Sequence, residues 1–520
     1  MLHLLFWIAG TGPLHVAKAD VVHARPGDDV EAIANALRPG DELVLADGTY
    51  TLDSGRFHLV LRGTADRPIV IRAADGARPH FHRPAENQNI WDLDVEHVVL
   101  RGIEFSGGSA GLRFEHARHV TIERCEIHDT GDVALRMNDG GRAYEHVRIL
   151  RNEIHHTRGT GEGMYLGCNH NGCRFAYGLI EGNWVHHTNG PDVEQGDGIE
   201  IKEGSHDNVV RDNVIHDTRY PCILTYSTVG NGGPNVIERN VMWNCGDHAI
   251  QSAADAVIRN NVILGAGASG IAMQPHQAGT PANLVVVHNT VFDGVALRGA
   301  TGSVIVANNA IYPPSGAAIA VIGGSTAGVV VVGNVGTGGV SGIPGGLASG
   351  DLERDFVMAH HRGAPPIDPF PAPGSALIGA GDPAHVVADD FNGTPRMGSR
   401  DVGAYVYAPG GNPGWTIREG FRDTPAPPPE TDGGMGPASD GGGPPESDGG
   451  VVPRRDAGGG MPPNRDAASA PPSAARGSAG CGCRAMRSMS SSGPVWVGSL
   501  ALCIAGRRRS RCRTTSASSS

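Results

Sequence analysis

The stretch "GDGIEIKEGSHDN" (residues 196–208) brings Asp197, Glu200 and Lys202 together within six positions. From Ile199 it alternates apolar, Glu200, apolar, Lys202. In a strand, that period of two puts the acid and the lysine on one face. Related short segments, "ALRMN", "GMYLG", "CILTY", "AIQSA" and "GIAMQ", recur before and after it. Aligned, they place Leu135, Met164, Ile199, Ile223, Ile250 and Ile271 inward. One outward column then reads Arg136, Tyr165, Glu200, Leu224, Gln251 and Ala272. The next reads Asn138, Gly167, Lys202, Tyr226, Ala253 and Gln274. Glu162, Asp197 and His248 stand at strand entries. Carboxylates in such a cluster can hold a hard cation or exchange protons, and a lysine can neutralise or deprotonate an acidic substrate. Taken alone, Glu200 and Lys202 are a surface ion pair of little consequence. The concentration of acids, lysine, arginine and tyrosines on four neighbouring segments favours a functional groove. A second column, His128, His155, His186 and His216, could ligate a metal or touch sugar. Imidazoles one step apart would repel if protonated, so a neutral ladder is the simpler reading. No Ser-His-Asp elbow, phosphate-binding glycine loop or paired zinc motif is present in the sequence.

The elements that must position these residues repeat. "HVTIERCEIHDT", "HVRILRNEIHHT", "YGLIEGNWVHHT", "NVVRDNVIHDT" and four later copies are anchored on Cys125, Asn152, Asn183, Asn213, Asn240, Asn261, Asn289 and Asn309. Their spacing is about 20 to 31 residues. A period in this range marks a repeat architecture. The segments alternate as strands and none is amphipathic at a helical period, which disfavours helical solenoids. Asn suits the recurring corner because it tolerates left-handed backbone and can hydrogen-bond along its own ladder. The expectation is an all-β chain, a right-handed parallel β-helix of about ten rungs over residues 40–340. A short helix at about Val30 to Leu37 leads into it.

The entry phrase "PGDELVLADGTYTL", the following "GTADRPIVIRA" and the repeated N-x-I-H turns resemble the secreted right-handed β-helix proteins. They are similar above all to polysaccharide lyases of the chondroitinase B and alginate lyase type. The resemblance covers about residues 25–340, and "DDFNGTPRMGSRDVGAYVY" resembles the closing stretch of such proteins. That family carries a motif E-x-I-x-x-K-S-x-x-N, with an acidic calcium ligand and a lysine base. "DGIEIKEGSHDN" resembles it with two extra residues before Asn208. The resemblance implies Lys202 as base in β-elimination of a uronic-acid glycan and Asp197 as a calcium ligand, with Glu162 one rung earlier as the second; the column alignment adds Glu200, Arg136 and Tyr226 to the catalytic groove. Tyr165 and His248 would bind substrate. Where the family has an Arg-His pair on the following rung, this chain has Thr225 and Tyr226. Two other readings stay open. A glycoside hydrolase would use paired carboxylates roughly 5 to 9.5 Å apart, drawn from Glu162, Asp197 and Glu200. A non-catalytic carbohydrate-binding surface protein would use the same groove without proton transfer.

The composition agrees with this architecture. Of 520 residues 77 are glycine, aromatics make up 5%, and the formal charge of −12 leaves no basic footprint for nucleic acid. Residues 1–19 resemble a signal peptide with cleavage after Ala19. The β-helix domain is expected over 20–408, a Pro/Gly/Asp-rich disordered spacer over 409–480, and a C-terminal segment over 481–520. That last segment combines "GCGC", an uncharged run from Ser488 to Gly506 and "RRRSRCR", and resembles the myxobacterial sorting signal. It implies an exported monomer held at the cell surface, with a membrane contact through this segment. In an exported chain Cys168 and Cys173 can close a small loop by a disulfide; His170 between them raises a metal alternative.

Overall fold

The computed structural model describes residues 19–422, apart from 54 and 362. The expected signal peptide, up to residue 18, and the 481–520 segment thus lie outside the described residues. Among those described, no helix is long and apolar enough to cross a membrane.

The chain coils through three strand faces per turn, and equivalent strands of successive turns pair in parallel. On the first face Leu135, Met164, Ile199, Ile223, Ile250 and Ile271 are successive partners. On the second, Ile149, Ile180, Val210, Ile237, Ile258 and Val286 follow one another. On the third the series is Ile127, Ile154, Val185, Ile215, Met242 and Ile263. All these side chains are buried, so one apolar residue per face stacks on its copy in the next turn. Each such burial contributes about 1.5–3 kcal/mol, which fixes the register. Strands Trp91–Arg101 and Leu112–Glu123 run round one corner and join the first two faces into a 25-stranded sheet, while the third face has 13 strands. The coil is therefore longer than about ten rungs. Its first turns, from strand Val21–Ala24 onward, carry no Asn at the corner and escape a count based on Asn. Helix Val30–Asn35, N-capped by Asp29, buries Val30 and Ala34 at this end.

The Asn corner is a continuous ladder. Asn183 accepts the Asn152 N–H at 2.9 Å, and its amide donates to Ile149 O at 2.8 Å and to Asn213 Oδ1 at 2.9 Å. The same pattern runs on through Asn240, Asn261, Asn289 and Asn309 to Asn334. The left-handed residue is not the Asn but the one before it: Arg151, Asp212, Arg239, Asn260, His288 and Asn308 all have φ between 53° and 58°. The bend and the hydrogen bonds are thus divided between two neighbours, and the buried Asn amide satisfies backbone groups that the bend leaves open.

Residues 351–422 fold back over the later part of the third face. Phe356, Phe370, Phe391, Tyr405, Trp415 and Ile417 cover Val214, Trp243, Leu264, Phe292 and Tyr312. This corrects the start of the expected spacer at 409. Ile417 pairs with Ile367, Trp415 is buried, and the buried Arg422 guanidinium reaches Asp212 at 2.7 Å. Composition alone misplaces that boundary because a few apolar anchors suffice to hold a Gly/Pro-rich segment.

Candidate functional site

The sequence repeats an acid, a glycine and a buried apolar residue at the first-face strand entries: Glu162-Gly163-Met164 and Asp197-Gly198-Ile199. The glycine is required by close approach. A Cβ on Gly163 would lie 2.7 Å from Gly198 O, and one on Gly198 would lie 2.5 Å from Cys222 O. The turns can therefore pack tightly at this point, and the acids just before the glycines are drawn together.

Glu162, Asp197 and Glu200 converge, all buried, with one carboxylate oxygen from each within 4.8 Å of the others. Glu162 Oε1, Asp197 Oδ1 and Glu200 Oε2 have no hydrogen-bond partner. The Thr160 hydroxyl lies 2.6 Å from Glu162 Oε2 and 2.7 Å from Asp132 Oδ1. Lys202 Nζ donates to Glu200 Oε1 at 2.6 Å and to the Tyr226 hydroxyl at 3.0 Å. That hydroxyl in turn donates to the same Glu200 oxygen at 2.9 Å. The ammonium also sits 4.6 Å from the ring centroids of both Tyr165 and Tyr226.

The electrostatics follow from burial. Desolvation, with the charges of Glu200 and Glu162 added, pushes Asp197 well above the ordinary carboxylate range. Desolvation also raises Glu162, against the opposing Thr160 hydrogen bond. For Lys202 burial acts downward, but the Glu200 carboxylate and Tyr165 outweigh it and hold the ammonium above its usual value. Desolvation and then Glu200 raise the Tyr226 phenol far up, so it keeps its proton.

Three buried carboxyl groups face one lysine, and one oxygen of each lacks a hydrogen-bond partner. An oxygen-only donor set of this kind fits calcium or another hard divalent cation. Glu162, Asp197 and Glu200 are the residues that would hold it.

The structure thus brings Glu162, Asp197, Glu200, Lys202, Tyr165 and Tyr226 together. It sets Arg136 beside Tyr165 on the preceding turn, with Nε donating to Asn138 at 3.1 Å and NH1 3.6 Å from Asp132. His248 lies two turns beyond Asp197, where it accepts the Ser269 N–H at 3.1 Å, and Gln274 bridges it to Gln251. Sequence reasoning did not find His276. It enters from the loop after strand Ile271–Met273, and its Nε2 lies 3.0 Å from the Tyr226 hydroxyl. Burial and the Lys202 charge lower its pKa, leaving it neutral. Nothing in the repeat pattern marks it, because the loop is an insertion between columns. The loop also roofs the site. Gln277 donates to Asn169 at 2.8 Å, inside the small loop closed by the expected Cys168–Cys173 disulfide. With both sulfurs in that bond, the metal alternative at His170 falls. A second disulfide, Cys222–Cys245, joins the third face to the entry of the first. Lys202 and Glu200 are accordingly buried rather than lining an open trough.

The right-handed β-helix region model matches residues 85–193 and 163–335, which also gives the hand of the coil. Among solved structures, XylC in complex with xylose has a TM-score of 0.50 at 10% identity, over 74% of this chain and 98% of that one. An alginate lyase from Paenibacillus sp. str. FPU-7 has 0.42 at 20% identity, over 60% and 99%. Pectate lyase Pel9A has 0.45 at 14%, over 75% and 97%. No curated protein matches the chain in sequence. At these identities the likeness is one of fold.

Proposed function

We propose that this is an exported, lyase-like enzyme that cleaves a uronic-acid-containing polysaccharide by β-elimination. The observation that carries the reading is the meeting of three buried carboxylates, each with an unpartnered oxygen, and a lysine–tyrosine pair on one face. β-Elimination needs a positive charge against the substrate carboxylate, a base for the C5 proton and an acid for the departing oxygen. Calcium, when held by Glu162, Asp197 and Glu200, supplies that positive charge. Lys202 takes the C5 proton as a free amine. The Glu200 carboxylate keeps it an ammonium, so withdrawal of Glu200's negative charge is the condition that makes Lys202 a base. Tyr226, held protonated, gives its hydroxyl proton to the leaving oxygen, and the Lys202 ammonium, 3.0 Å from that hydroxyl, returns the proton it took from C5, which restores both groups. Arg136 and Tyr165 hold the sugar at the open side, and His248 with Gln251 holds it farther along. Substrate reaches Lys202 by displacing the loop that carries His276. Cell-surface anchoring through residues 481–520 belongs to the same proposal.

The test is purified protein against a panel of uronic-acid and neutral glycans, scored for unsaturated-uronide absorbance and for reducing ends. A lyase produces both together. Reducing ends without the absorbance indicate a hydrolase, and neither signal with retained glycan binding indicates a binding protein; each of these overturns the proposal.

A further inference from the structure

The third face carries a polar column that this mechanism leaves idle. His128, His155, His186 and His216 are partners in register and stack with ring centroids 4.9, 4.8 and 5.3 Å apart. Two positions earlier, on the same side of successive strands, stand Glu104, Glu126 and Glu153. The first three imidazoles meet the carboxylate of the preceding turn at Nε2, His128 with Glu104 at 3.3 Å, His155 with Glu126 at 3.4 Å and His186 with Glu153 at 3.3 Å, while His216 Nε2 accepts the Trp184 indole N–H at 2.9 Å. The other ring nitrogens are also paired. His155 Nδ1 lies 2.7 Å from His156 Nδ1, and His186 Nδ1 lies 2.7 Å from His187 Nδ1. Two lone pairs cannot face each other at that distance, so each pair shares one proton.

This goes beyond a stack of neutral rings. Neutral imidazole is the form that ligates metal. One oxygen of Glu153 and one nitrogen each of His155 and His186 lie within 4.8 Å of one another. The mixed imidazole–carboxylate set suits zinc, nickel or copper, unlike the oxygen-only cluster of the first face. A ligating imidazole also needs a partner for its second nitrogen, and His156 and His187 already stand there.

We propose that Glu153, His155 and His186 bind one divalent cation of the zinc–copper class, through a carboxylate oxygen and two imidazole Nε2 atoms. On binding, His155 and His186 carry their proton at Nδ1 and donate it to His156 and His187, which switch to the Nε2–H tautomer. All four rings remain neutral and no net proton is released.

The experiment uses the full-length protein and zinc in competition with a chromophoric chelator, followed by copper(II) electron paramagnetic resonance. Wild type and Asp197→Asn should bind zinc alike. Glu153→Gln should bind at least ten-fold more weakly, and His155→Gln/His186→Gln should lose the site. One equivalent of copper on the wild type should show coupling to two imidazole nitrogens. Absence of zinc binding by the wild type, or equal affinity in Glu153→Gln, overturns the proposal. If the double variant does not fold, the copper spectrum decides alone, since lack of two-nitrogen coupling also overturns it.

Discussion

The first and third faces carry polar columns of opposite character on the same scaffold. In both, burial pushes ionisable groups toward neutrality, raising Glu162 and Asp197 on the first face and lowering His186 and His156 on the third. The third face answers with internal pairing, since each stacked imidazole has a carboxylate at one nitrogen and a ring or Asp at the other. On the first face, three carboxylate oxygens are left facing one another. Burial alone therefore does not mark a working site; unsatisfied convergence does. The third face is paired within itself, whereas on the first face an added cation would find oxygens without protein partners.

The sharpest break in the comparison comes from the acid on the first face. Tyr226→Phe should lower turnover by roughly 10²–10⁴-fold with glycan binding retained, measured as kcat against KM. No substitution in the imidazole column should do the same.

The next prediction uses pH. His186 titrates near its ordinary 6.5 when unfolded and at about 4 when folded, so the native state binds fewer protons between those values. The third face therefore contributes stability that is present above about 6.5 and lost as pH falls toward 4, at most about 3 kcal/mol. Denaturant unfolding from pH 7 to 4 should show this fall in the wild type, and His186→Phe should flatten it. The first face has the opposite sign. Raised carboxyls bind more protons in the native state, so cation-free protein loses stability as pH climbs from the ordinary carboxylate range through the raised values of Glu162 and Asp197. Calcium at a hundred-fold excess over its Kd should restore about 2.7 kcal/mol at neutral pH, and less once these carboxyls are protonated. The thermal midpoint with and without calcium at two pH values reads this directly. The smallest effect should belong to Arg136→Ala. Arg136 is held by Asn138 and Asp132 rather than by the lysine pair, so KM should rise a few-fold with little change in kcat.

Much of this arrangement is legible in the sequence. Asn152 to Asn309 mark one corner and so set the register, and in a parallel coil the register alone puts Glu200 beside Tyr165 and Lys202 one turn from Tyr226. Glu162 and Asp197 follow from the acid-Gly-apolar entries. What stays hidden depends on irregular chain. His276 belongs to an insertion with no counterpart in neighbouring turns, so no column predicts where it folds back. The cover over Tyr226 comes from that same loop, through His276, and the loop is tied to Asn169 by Gln277. The segment from 409 through Arg422 reads as spacer because Gly and Pro run through it, while its hold on the third face rests on a few residues such as Trp415 and Ile417.

The account stands most directly on Lys202 as the proton acceptor. The measurement is formation of unsaturated uronide by wild type, Lys202→Ala and Lys202→Arg on one glycan the wild type cleaves, with binding followed in parallel. The account predicts that both variants bind the glycan and neither forms product, because neither a methyl nor a permanently charged guanidinium can accept the proton. Near-normal product formation by Lys202→Ala would contradict it.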